Sequence, residues 1–355
     1  MATDRPDKGP ATRLIHPDEH ASRDFGSLSM PVYRASTVLF DTIADAHDKA
    51  SLAGDYTYGL HGTPTTRELA LRIAELEGAE DCLLLPSGLA AIALVYLALT
   101  KSGDHVLVPH SAYGPNARIG RDMMRKFGVE VEAYDPMAGA SIGDLIRKNT
   151  RLIWCESPGS VTMEVQDVPA IAHAAHARGV TVVADNTYGA GIFNNAFDLG
   201  ADVSIQALTK YVGGHSDLLM GSVATRDADL AERLGTVHQI LGQGVSPDEC
   251  SLALRGLPTM RLRMAAIERT TLEIAHWLRD RSEVEYVLHP MFPECPGHEV
   301  WKRDFHGSAG IFSVIFRDWE WARTERFVNA LTLFPIGYSW GGVASLVMAY
   351  RGFSR

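Results

Sequence analysis

Short apolar runs alternating with helical segments of about ten residues occupy the middle of the chain, and few folds accommodate that pattern. Strand-like runs at 82–86, 105–109, 129–134, 152–156, 181–185 and 203–208 are separated by helical patterns at 89–100, 116–127, 142–148 and 169–178. Strands that read as continuous apolar stretches need cover on both faces, and crossover helices supply it. The pattern therefore predicts an α/β fold with a mostly parallel sheet and helices on both faces. An earlier helical pattern at 66–78 ends at Gly78, a residue that tolerates the left-handed backbone at helix ends.

The flanks differ in texture. Residues 1–55 are polar, then extended around Pro31, and read as an N-terminal arm. Residues 56–244 hold the α/β pattern. Residues 245–355 begin with a long helical region reaching Arg281, followed by strand-like runs at 286–289, 311–316 and 346–350 and a helix at 319–331. This last part reads as a smaller α+β domain, with Trp319, Trp321 and Phe327 as core and helix-packing residues.

Charge and cysteine content narrow the partners. With 33 basic and 43 acidic side chains the net charge is −10, which argues against a nucleic-acid or anionic-membrane surface. No apolar run reaches the ~20 residues that span a bilayer, and the polar N-terminus lacks a secretory pattern. Cys82, Cys155, Cys250 and Cys295 are scattered without a CxxC pair, so a reducing, cytoplasmic setting is expected. His173 and His176 share a helix face, yet no third ligand accompanies them, and no metal site is expected.

Four features fall at strand ends, where open α/β sheets hold their ligands. Asp185 closes an apolar strand; alone it would read as a helix N-cap. Lys210 follows the next strand and precedes Gly213-Gly214, an unusual place for a surface charge, with His215 as a support for that loop. At Ser87-Gly88-Leu89 a strand gives way to a helix, whose N–H groups and dipole favour an anion. Tyr113 stands in a turn after another strand. Together these supply what pyridoxal phosphate (PLP) requires: an amine for the aldehyde, a carboxylate for the pyridine nitrogen, a helix end for the phosphate and an aromatic face for the ring.

The chain resembles the Cys/Met-metabolism family of PLP enzymes, of fold type I, from about Ser36 to Gly342. The resemblance rests on residues 58–65 (Tyr-Gly-Leu-His-Gly-Thr-Pro-Thr), 86–92, 184–188 and 209–217. Residues 156–160 with 163–167, and Gly337 to Gly342, are similar to the cystathionine β-lyase branch. The resemblance implies a seven-stranded-type sheet in a PLP-binding domain at 56–244 and a shortened C-terminal domain at 245–355. It implies Lys210 as Schiff-base lysine and proton carrier, Asp185 as pyridinium partner and Tyr113 as stacking residue. Ser87, Gly88, Leu89 and Thr209 would hold the phosphate, while Ser339 and Trp340, with Tyr113, would line the substrate end. Tyr58 would reach into a neighbouring subunit's site, which implies a homo-oligomer: a dimer with shared sites and, by family habit, a tetramer.

The activity so implied is α,β-elimination of an amino-acid thioether, cystathionine, to homocysteine, pyruvate and ammonia. A sister γ-lyase or γ-synthase activity, or an impaired PLP-fold protein, is the alternative. Three departures bear on it. Leu60 stands where relatives carry an arginine for the neighbour's phosphate, with His61 beside it as a partial substitute. Ala207 replaces a phosphate-binding serine. The chain ends at Arg355, and neither Arg351 nor Arg355 matches the family's arginine for the substrate carboxylate.

Overall fold

The computed structural model describes residues 9–16, 27–49 and 56–351. Much of the expected arm, and Arg355, lie outside them. Among the described residues seven strands form one sheet: β1 (Asp81–Leu85), β2 (His105–Pro109), β3 (Glu130–Tyr134), β4 (Thr150–Glu156), β5 (Thr181–Asp185), β6 (Val203–Gln206) and β7 (Gly221–Thr225). Their order is β1-β7-β6-β5-β4-β2-β3. The neighbouring strands from β6 to β3 pair in parallel, and β7 runs antiparallel to both β1 and β6. The carboxyl ends of β1, β2, β4, β5 and β6 consequently share one edge.

Strand alternation explains why these sequences are apolar throughout. Val106, Trp154, Val183 and Ile205 face one side, packing with Ile92 and Val95 of the helix Gly88–Leu99 and Leu234 of the helix Ala228–Leu241. Leu107, Ile153 and Val182 face the other, against Ile171 and Ala175 of the helix Val168–His176. Each aliphatic side chain so enclosed contributes about 1.5–3 kcal/mol. A third cluster joins Leu69 and Ile73 of the helix Pro64–Glu77 to Met260 and Met264 of the helix Met260–Arg279, binding the C-terminal part to the sheet. Beyond it lies a two-stranded antiparallel sheet, β8 (Val284–Leu288) and β9 (Ser313–Phe316).

Several expected elements differ. β7 escapes a reading of the sequence because Gly-Ser-Val-Ala-Thr has weak strand character, yet all five residues are buried. Small residues are required there: a β-carbon on Gly221 would collide with the Ser87 carbonyl. The expected helix at 116–127 breaks into α (Gly114–Arg118), π (Ile119–Met123) and 3-10 (Met124–Phe127) turns, and the helix expected at 142–148 is a 3-10 segment displaced to Gly139–Leu145. The run at 346–350 is no strand. It makes one bridge, Ile336 to Val347, and Pro335 beside it has no N–H with which to extend a ladder. Trp319 and Phe327 form a part-exposed aromatic cluster with Phe316, whose ring stacks on Trp319 at 3.9 Å, rather than a buried core.

Candidate active site

The strand register sets the site. β4 and β5 end side by side, with Glu156 opposite Asp185, and β6 leads through a turn to Lys210. β2, beside β4, and β1, beyond β7, release the chain at the Ser111–Tyr113 turn and at Ser87.

Asp185 is enclosed by protein, and burial raises its pKa above the ordinary carboxylate value, opposed by hydrogen bonds from the Thr187 hydroxyl and N–H and by the charge of Lys210. The N–H donates to Asp185 Oδ1 at 3.0 Å, so Asp185 and Thr187 form a local turn that aims the carboxylate. The Thr187 hydroxyl oxygen also accepts the Ala207 N–H at 2.9 Å. That bond ties the end of β5 to the turn that carries the lysine.

Lys210 Nζ donates to Ser339 Oγ at 2.7 Å and lies 5.3 Å from the centre of the Trp340 ring. Burial lowers its pKa, partly countered by the carboxylate of Asp185. A lowered amine pKa is what both a nucleophile and a base require near neutrality. Trp340 meets Tyr211 edge-on at 5.3 Å, and Tyr211 Oη accepts the Gly310 N–H at 2.7 Å. Ser339 itself holds a positive φ of 111°, a strained backbone for a residue with a side chain.

At the opposite wall Ser87 caps the helix Gly88–Leu99, its hydroxyl accepting the Ala90 N–H at 3.0 Å. The N–H groups of Gly88 and Leu89 belong to the unpaired first turn. Gly88 has no room for a side chain, since a β-carbon would lie 2.8 Å from that of Ala207. The Thr209 hydroxyl donates to the Met220 carbonyl at 3.1 Å and accepts the Met220 N–H at 3.0 Å. Tyr113 is 44% exposed, enough for a face to remain open, and feels the charges of Asp185 and Glu156, which together with burial raise its pKa.

The structure thus gathers Lys210, Asp185, Tyr113, Ser339 and Trp340 around one space, with Ser87, Gly88 and Leu89 at the helix end. Tyr58 stands apart. Its neighbours are Thr37, through a single bridge, and His61, 6.4 Å away ring to ring. Leu60 packs over Gly244, His61 Nδ1 sits 2.9 Å from the Thr57 hydroxyl, and Arg351 lies over the Trp321 ring at 4.3 Å. His215 Nδ1 bonds the Gly213 carbonyl at 2.7 Å, bracing the loop after Lys210.

Two residues of the site were not singled out from the sequence. Thr187 was legible as a hydroxyl two positions after a strand-end Asp; Glu156 was legible as a second acid closing a strand. Among the described residues one group has metal-capable spacing: His105, Glu130 and Glu132, at the other edge of the sheet, where Arg147 is already paired with both carboxylates. His176 bonds Asp202 at 3.0 Å.

These side chains fit PLP. Burial has depressed the pKa of the amine, the carboxylate is enclosed, and the helix end is stripped of side-chain bulk at Gly88. Lys210 would hold the aldehyde carbon, Asp185 the pyridine nitrogen, Tyr113 the ring face, and Gly88 and Leu89 the phosphate.

Known proteins agree. The chain is 43% identical to a putative cystathionine β-lyase of Rhizobium johnstonii, over 95% of this chain and 85% of that protein. It is 44% identical to the cystathionine β-lyase of Bordetella avium, over 90% of this chain and 81% of that protein. The crystal structure of metB from Corynebacterium glutamicum superposes with a TM-score of 0.90 at 31% identity, covering 96% of this chain and 86% of that one. Other relatives carry different activities in their names: L-alanine/L-glutamate racemase in Wolbachia pipientis, 37% identical, and cystathionine γ-lyase in Dictyostelium discoideum, 33% identical. The family model for Cys/Met metabolism PLP-dependent enzymes matches residues 11–351, and the chain belongs to that family.

Proposed function

We propose that the protein is a carbon–sulfur lyase that cleaves cystathionine at Cβ, releasing homocysteine, pyruvate and ammonia. The observation that carries the reading is the amine of Lys210, held by Ser339 and facing the enclosed carboxylate of Asp185. Relatives named cystathionine β-lyase support the substrate.

When bound, PLP supplies an electron sink for the negative charge left on the substrate Cα. Asp185, oriented by Thr187, keeps the pyridine nitrogen cationic. Lys210 Nζ would take the Cα proton; its lowered pKa leaves it neutral in a larger fraction of molecules. Ser339 returns the amine to one position between turnovers. Trp340 shields that position from water, and the helix dipole at Gly88 balances the phosphate charge. Tyr58, half-exposed in the single chain, would be offered to a second copy, so the working form proposed is a homo-oligomer with shared sites. The setting proposed is the cytoplasm. Among the described residues no helix is long and apolar enough to cross a membrane.

The test is product analysis. Protein loaded with PLP is incubated with L-cystathionine, and separately with L-alanine. Pyruvate with homocysteine is expected from the first and no D-alanine from the second. Formation of 2-oxobutyrate with cysteine would replace the reading with γ-elimination, and racemised alanine without pyruvate would replace it with racemase chemistry.

A further inference from the structure

Glu156 has no part in the mechanism above, yet it is the most constrained acid in the site. It ends β4 directly opposite Asp185. One carboxyl oxygen, Oε2, accepts the Tyr113 N–H at 2.6 Å, and the other accepts the Ser160 hydroxyl at 2.6 Å. A third bond crosses the same seam, from the Ser160 N–H to the Ser111 carbonyl at 2.7 Å. From behind, Gln166 Oε1 accepts the Glu156 N–H at 2.8 Å, and the Gln166 N–H donates to Ser157 Oγ at 3.0 Å. Two loops from different strands, the turn after β2 that bears Tyr113 and the loop after β4, thus meet on one side chain.

We propose that Glu156 is a positioning residue: its two carboxyl oxygens clamp the Tyr113 turn to the 157–160 loop and so set the height of the Tyr113 ring over the cofactor. Tyr113 starts the short helix Gly114–Arg118 without a side-chain cap, so within this turn the anchored N–H governs where the ring goes. Burial and the neighbouring Asp185 push the Glu156 pKa up, which disfavours a second negative charge beside Asp185. The inference rests on the PLP reading of the site but not on which thioether is cleaved.

Glu156→Ala removes both bonds; Glu156→Gln keeps an acceptor for Tyr113 and a partner for Ser160. The readouts are the PLP dissociation constant of the stripped protein, the visible circular dichroism of the bound cofactor, and kcat and KM taken separately. Losing two hydrogen bonds should weaken PLP binding by about tenfold or more, with diminished visible dichroism, and Glu156→Gln should recover most of both. An alanine variant that binds PLP like the native protein with unchanged dichroism would overturn the proposal. So would a glutamine variant as impaired as alanine, because charge and not the clamp would then be at work. If Glu156→Ala does not fold, Ser160→Ala deletes one bond: a loss of about threefold in PLP affinity is expected, and native affinity would overturn the idea. Native protein that binds PLP but makes no pyruvate from cystathionine would sink the substrate reading alone.

Discussion

The two sides of the site are built on different terms. Lys210, Asp185 and Gly88 sit at the ends of regular elements, where the parallel register of β4, β5 and β6 and the helix Gly88–Leu99 determine their separation. Ser339 and Trp340 come from a segment with no regular element after the helix Trp321–Asn329. That segment is tied down by the Lys210–Ser339 bond, the Trp340–Tyr211 contact and one bridge at Val347. The sheet side encodes chemistry by position in a ladder. The C-terminal side encodes it by a few tertiary contacts, including a serine with strained backbone. The contrast teaches that the groups proposed to react are held where unfolding is expensive, and the groups proposed to meet substrate are held where adjustment is cheap.

Five measurements would break or sharpen that comparison. The largest effect belongs to Lys210→Ala, which should lower pyruvate formation by about 10³-fold or more, since covalent attachment and proton transfer are lost together. Asp185→Asn follows, with a fall in kcat of about 10²–10³-fold, the scale for removing one preorganised charge from a reaction centre. Comparable losses from Ser339→Ala would erase the distinction between the two sides.

Stability should divide the same way. Ile205→Ala, in a fully covered strand, should cost about 2–5 kcal/mol in chemical denaturation, whereas Leu346→Ala, half-exposed in the C-terminal segment, should cost far less. Equal costs would mean that the two regions are one cooperative core.

The smallest effect is a pH dependence that lives on the sheet side. Burial pushes the Glu77 carboxyl up to about 7, with Asp185 adding to the rise, and Gln206 Nε2 donates to it. Its folded pKa is above its unfolded one. The proton it holds therefore stabilises the fold fully below about pH 4.5, and that contribution is lost as pH rises through about 7. Denaturant midpoints should fall over that window by an amount worth no more than about 3 kcal/mol, and Glu77→Gln should flatten the component. An unchanged pH profile in that variant would remove Glu77 from the account.

The sheet side was also the more legible. β2 and β5 were readable to the residue because apolar runs bounded by turn residues have one use in an α/β fold; Asp185 follows from where β5 stops, and Lys210 from the apolar run that forms β6. β7 was not, because what selects Gly221 is the Ser87 carbonyl against it, a contact between residues far apart in sequence. Residues 346–350 have strand composition but lack a partner with donors to spare. Glu156 was in plain view as the last residue of a strand; its meaning lay in register, which places it opposite Asp185 and beneath the Tyr113 turn.

The central claim is that the Lys210 amine carries the cofactor. Protein loaded with PLP is reduced with borohydride, digested and mapped by mass spectrometry. A phosphopyridoxyl group on the peptide containing Lys210, absent from Lys210→Ala, is the predicted result; a label on another lysine, or no label on the loaded native protein, would contradict it.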